Sequence, residues 1–187
     1  MVDSETRWRL VRKLRQRPAA AEAEPLLRAA TREDLPAIRD IYNFYVQNTV
    51  ITFDDAPLDL GYWQERFDLL SKYEFPFLVL ARADQVLGFA YVAPWRMRTG
   101  YLKTVENSIY LAPAATRKKL GNQLFVALLD ACREQGIREV IAVIADRGAH
   151  ASIALHQKHG FVEQGHLANV ATRFGKPIGS YLFSLKL

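Results

Sequence analysis

The tightest constraint on this chain lies in residues 104–136, where two hydrophobic periods meet across a basic loop. From Thr104 to Leu111 the side chains alternate. Val105, Asn107, Ile109 and Leu111 take one side and Thr104, Glu106, Ser108 and Tyr110 the other, as in a strand. From Leu120 onward the period is helical, through Leu124, Phe125, Leu128, Leu129 and Cys132, and Gly136 stands where a helix-ending glycine belongs. Between the two lies Thr116-Arg117-Lys118-Lys119-Leu120-Gly121-Asn122. A strand, a short loop and a helix start form an anion site by geometry, because unpaired N–H groups point outward and the helix dipole adds positive charge. The expected guest carries phosphate; a solvated basic turn is the plain alternative. Glu106 sharpens the choice, since glutamate is uncommon inside a strand.

The rest of the chain reads as one α/β domain. Leu26–Ala29 is a short strand, and Thr31-Arg32-Glu33-Asp34 resembles a capping box before Leu35, Ile38, Ile41, Tyr42 and Tyr45 at helical spacing. Asp59 is placed to cap a second helix bearing Trp63, Phe67 and Leu70. Residues 77–82 and 86–93 read as an antiparallel hairpin ended by Pro94-Trp95. Val140–Ile144 is a continuous apolar strand, His150–His159 a helix stopped by Gly160, and Phe161-Val162 with Ser180–Leu187 are expected to close the sheet. This order predicts a mixed sheet flanked by helices.

Composition excludes little beyond extremes. The 187 residues are half hydrophobic, and the longest apolar runs are too short to span a bilayer. Much of the net charge of +5 is local, with Arg7, Arg9, Arg12, Lys13, Arg15 and Arg17 crowded together. Residues 1–25 therefore read as a basic extension and linker, and residues 26–187 as the domain. Nucleic-acid binding is not expected, because stacking aromatics are not interleaved with that charge. One cysteine, Cys132, allows no intrachain disulfide, which suggests a reducing, cytoplasmic setting. The few histidines show no metal-ligand spacing.

Several separated segments together resemble the GNAT superfamily of acetyl-CoA-dependent N-acetyltransferases, specifically its phosphinothricin acetyltransferase-like subgroup. They are Arg28–Leu35, Ala90–Trp95, Thr104–Tyr110, Ala151–Phe161 and Arg173-Phe174-Gly175. The likeness covers residues 26–187 and implies the GNAT fold, acetyl-CoA as cofactor, a small amine acceptor and a homodimer. The loop departs from the family pattern: Lys119 replaces a glycine, leaving Gly121. His150 replaces an asparagine, and Pro177-Ile178-Gly179 stands where Trp-Leu-Asp is usual.

The resemblance implies site residues. Ile109, Tyr110 and Leu111, the loop residues Arg117, Lys118, Lys119, Leu120, Gly121 and Asn122, and His150 with Ser152 fall at cofactor-binding positions. Glu106 is the expected base, acting through a water, with a surface salt bridge as the alternative. His156 is the expected acid, at a position where relatives carry tyrosine, and a purely structural histidine is equally open. Phe53, Arg98 and Tyr101 are expected to wall the acceptor pocket, Arg98 pairing with a carboxylate. The implied reaction acetylates a small amino-acid-like amine of the phosphinothricin or methionine sulfone and sulfoximine type. Acetylation of a protein N-terminus and a weakly catalytic acyl-CoA-binding regulatory module are the competing readings.

Overall fold

The computed structural model describes residues 24–187, so the basic stretch from Arg7 to Arg17 lies outside the described residues. The chain begins with β1 (Leu26–Ala29), α1 (Leu35–Asn48), α2 (Leu60–Lys72), β2 (Phe77–Arg82) and β3 (Gln85–Pro94). It continues through β4 (Thr104–Leu111), α3 (Leu120–Glu134), β5 (Glu139–Ala145), α4 (His150–Lys158), β6 (Val162–Arg173) and β7 (Lys176–Lys186). The seven strands lie in the order β1-β2-β3-β4-β5-β7-β6. Among the described strands only the β4–β5 pair is parallel.

Both faces of the sheet are covered, and β3 shows why. Its side chains alternate, with Phe89 and Tyr91 buried against α1 and α2, and Ala90 and Val92 buried against α3. The inner faces of α1 and α2 bring Leu35, Ile38, Trp63 and Leu70 into this core. Leu124, Phe125, Leu128 and Cys132 of α3 pack on Val105, Val140 and Phe183 across the sheet. Burial pushes the Cys132 thiol up to about 12, which keeps it an inert core group.

The expected caps form. Asp59 accepts from the Tyr62 amide at 2.8 Å, and the Asp34 carboxylate accepts from the Thr31 amide at 2.8 Å and from Arg28 at 2.6 and 2.8 Å.

The C-terminal hairpin differs from the expectation. Phe161 is buried outside any strand, and β6 and β7 are longer than the pattern suggested. β6 is an edge strand, exposed along most of its length, with register shifts between Glu163 and Gly165 and between Leu167 and Ala171. It carries no alternation for a sequence pattern to detect. At its tip Arg173 is 2% exposed, donating to Asp55 at 3.1 Å and to the Val46 carbonyl. Gly179 is explained by crowding: a Cβ there would lie 2.4 Å from Asp146 Oδ2 and 2.6 Å from the Leu167 carbonyl. Its amide donates to Asp146 Oδ1 at 2.9 Å, so the carboxylate supplied elsewhere by the chain fills the space.

Candidate active site

Strands β4 and β5 pair only from Thr104–Glu106 against Glu139–Ile141, and then part. β5 stays paired with β7 as far as Ala145, so the opening is a fork beside β4. The Ala112 amide bonds to Leu87 and the Trp95 amide to Thr104, so even-numbered residues of β4 bond to β3. Ile109 and Leu111 therefore turn their N–H groups toward the fork. The Tyr110 amide is committed to β3, which corrects the expectation for that residue. Its ring packs 5.0 Å from that of Tyr42 and 5.5 Å from that of Phe89. Tyr45 Oη donates to the Leu111 carbonyl at 2.7 Å and ties α1 to the end of the strand.

The basic loop meets this open end. Gly121 lies against Leu111, whose Cδ1 is 3.4 Å from where a Cβ would stand. The amides of residues 117–121 make no hydrogen bond within the described chain. Arg117 and Lys119 both have φ of 63°, in the left-handed region. Lysine thus adopts the conformation for which glycine is usual, and the alternation of backbone hands turns successive amides toward one side. The side chains of Arg117, Lys118 and Lys119 are exposed, while Leu120 packs on the core. Exposed cations and unpaired amides fit a diphosphate, and the fork's unpaired backbone fits the amide-bearing arm of coenzyme A. Asn122 is already engaged, its Oδ1 accepting from Lys158 at 2.5 Å and from His159 Nε2 at 3.0 Å. His150 is exposed at the start of α4.

A cleft of about 400 Å³ opens at the fork, lined by Glu106, Asn107, Ile109, Tyr110, Ser152 and His156 on one side and by Tyr42, Phe53, Asp54, Tyr62 and Arg66 on the other. Burial raises the Glu106 carboxyl above its ordinary value, opposed by the charges of Arg66 and Arg96. It is a half-buried carboxylate in a cleft, not an edge salt bridge.

His156 is 2% exposed, with Nδ1 2.8 Å from the Ser152 carbonyl and Nε2 3.0 Å from Asn107 Nδ2. A carbonyl only accepts and an amide nitrogen only donates, so Nδ1 carries the proton and Nε2 is the acceptor. Burial lowers its pKa to about 4. A neutral imidazole with both nitrogens occupied is a positioning group, and this arrangement speaks against a free proton donor.

The acceptor wall departs most from expectation. Phe53 lines the cleft, but Arg98 and Tyr101 lie around a separate depression with Tyr73, Phe75 and Met97. The loop after Trp95 turns through a short 3₁₀ segment at Thr99–Tyr101, carrying both side chains outward. The cation in the cleft is Arg66, overlooked because α2 reads first as a core helix through Trp63 and Leu70. The Tyr62–Arg66 spacing of one turn was its signal. Among the described residues no group of three or more His, Cys, Asp or Glu is placed to hold a metal ion.

Comparison with known proteins shows the family. Residues 27–182 match the family described as the acetyltransferase (GNAT) domain. The chain is 37% identical over 162 residues to the L-methionine sulfoximine/L-methionine sulfone acetyltransferase of Pseudomonas paraeruginosa, covering 86% of this chain and 94% of that one. It is 34% identical over 161 residues to the phosphinothricin N-acetyltransferase of Alcaligenes faecalis, covering 86% and 82%. A phosphinothricin acetyltransferase from Sinorhizobium meliloti, solved in complex with acetyl-CoA, superposes with a TM-score of 0.82 at 35% identity, covering 87% and 88%. The chain belongs to the GNAT family of N-acetyltransferases, closely related to the phosphinothricin and methionine sulfoximine acetyltransferases, and takes acetyl-CoA as its donor.

Proposed function

We propose that the chain acetylates the primary amine of a small amino-acid-like acceptor of the phosphinothricin or methionine sulfone and sulfoximine type. The observation that carries this reading is the desolvated Glu106 carboxylate, set at the fork of β4 and β5 in a cleft that also holds a guanidinium. Acetyl-CoA supplies the acyl group as a thioester. The amides of residues 117–121 and the side chains of Arg117, Lys118 and Lys119 hold its phosphates, and the backbone of Ile109 and Leu111 pairs with its arm.

Glu106 accepts the ammonium proton of the acceptor through a water, and burial, which raises its proton affinity, strengthens it as a base. The freed amine displaces coenzyme A from the acetyl carbonyl, and the departing thiolate leaves with the remaining proton that the nitrogen sheds. The Ile109 amide, facing the fork, is the donor for the developing oxyanion. His156, with Ser152, fixes Asn107 and so the wall where the strands part. Tyr42 and Phe53 close the acceptor side and exclude water. A cleft of about 400 Å³ suits a small free amino acid better than a protein N-terminus, which needs a longer groove.

The buried thiol of Cys132 is consistent with a cytoplasmic setting, and among the described residues no helix is long and apolar enough to cross a membrane. Exposed Leu167 and Val170 on β6, with Phe174 in the turn after it, suit a homodimer. A screen of amines with detection of released coenzyme A thiol tests the function. Turnover of methionine sulfone or phosphinothricin is expected, and turnover of N-terminal peptides alone would refute the reading.

A further inference from the structure

Arg66 stands one turn after Tyr62 on α2 and points into the cleft that holds Glu106. It donates to Tyr62 Oη, and its guanidinium lies 5.2 Å from the Tyr62 ring centroid and 5.7 Å from that of Tyr91. Several other arginines find carboxylates: Arg28 pairs with Asp34, Arg32 with Asp68, Arg133 with Asp130 and Arg173 with Asp55. Arg66 has no such pair among the described residues, although it is half-buried and carries donors that Tyr62 leaves unused.

The carboxylates nearby do not complete it. Asp54 accepts from Tyr42 Oη, and Glu106 is near enough to feel the charge without forming a salt bridge. A partly desolvated guanidinium without a paired carboxylate is unfavourable on its own and favourable once a guest brings oxygens to it. The planar fork of donors matches a carboxylate bidentately.

We infer that Arg66 is the subsite for the carboxylate of the acceptor, an inference that rests on the amino-acid reading given above. The acceptor then spans the cleft with its carboxylate at Arg66 and its ammonium toward Glu106, each end against the opposite charge. Simple amines and carboxamides lack the first contact. Arg66 thereby separates free amino acids from peptides and amines, the selection that Arg98 is too far outside the cleft to make.

The test uses the full chain with acetyl-CoA and two acceptors, L-methionine sulfone and its α-carboxamide, which share one amine. Arg66→Gln is expected to raise KM for the acid about tenfold to a hundredfold, the range for a hydrogen bond between charged groups. KM for the carboxamide is expected to stay within twofold, and Arg66→Lys to recover part of the loss on the acid. An equal loss on both acceptors would overturn the subsite and leave Arg66 a support for Glu106 or for the tyrosines. Failure of the acceptor reading is separately visible: the unmutated chain would then acetylate neither compound, and the subsite would fall with it. Calorimetry with acetyl-CoA checks that both variants remain folded and loaded.

Discussion

Asn107 and His156 meet across the fork of the sheet, the amide Nδ2 donating to the imidazole Nε2 at 3.0 Å. The pair joins β4, one residue beyond the end of the β4–β5 ladder, to α4, and burial keeps the imidazole neutral with a pKa of about 4.

This burial makes a stability prediction. Between pH 6.5 and about 4 the unfolded chain takes up the proton that the folded chain refuses, so unfolding becomes easier as pH falls. The contribution is complete above pH 6.5, is lost as pH falls to about 4, and is of order 3 kcal/mol. Urea unfolding across this window should show a steep decline for the natural chain and a shallower one for His156→Gln. Parallel slopes would mean that His156 is not held neutral.

Glu106→Gln should lower kcat on the best acceptor by about 10²–10⁴-fold while leaving the affinity for acetyl-CoA unchanged. Because the folded carboxyl has a raised pKa, its ionised form opposes folding as pH rises. The variant should therefore melt higher than the natural chain at pH 8, with a smaller difference at pH 4. Undiminished turnover would remove Glu106 from the reaction.

Lys119→Gly should raise stability by about 0.5–1 kcal/mol, since glycine accepts the left-handed φ of 63° without a Cβ clash. Calorimetric affinity for acetyl-CoA should change by no more than about threefold, one exposed charge being worth little. A large loss of affinity would assign the lysine ammonium, and not the backbone, the main part in holding phosphate.

Arg98→Ala should leave KM within about twofold for every acceptor, because a surface substitution away from the site is close to neutral. Steady-state kinetics on methionine sulfone settles it. A selective rise in KM for carboxylate acceptors would return Arg98 to the acceptor pocket.

Much of this was legible before any coordinates. The alternation from Thr104 to Leu111 and the helical spacing from Leu124 to Cys132 fixed the centre of the sheet, because each period matched a buried face. Glu106 stood out as a charge in a strand. What stayed hidden depended on distance. The length of β6 has no buried stripe to announce it, and the partner of His156 sits 49 residues away in the chain. Arg66 was masked by its neighbours Trp63 and Phe67, which made α2 look purely structural. Arg98 looked suitable by residue type, but a 3₁₀ turn at Thr99–Tyr101 carries it away from the cleft.

The buried guanidinium of Arg173 has one more effect. It fastens the far end of the β6–β7 ribbon to Asp55 and to the last turn of α1, on either side of the segment that bears Phe53 and Asp54. The acceptor wall and the ribbon tip are thus clamped into one mechanical piece. Disturbance at that remote tip would loosen the grip on the amine while the nucleotide end stayed intact.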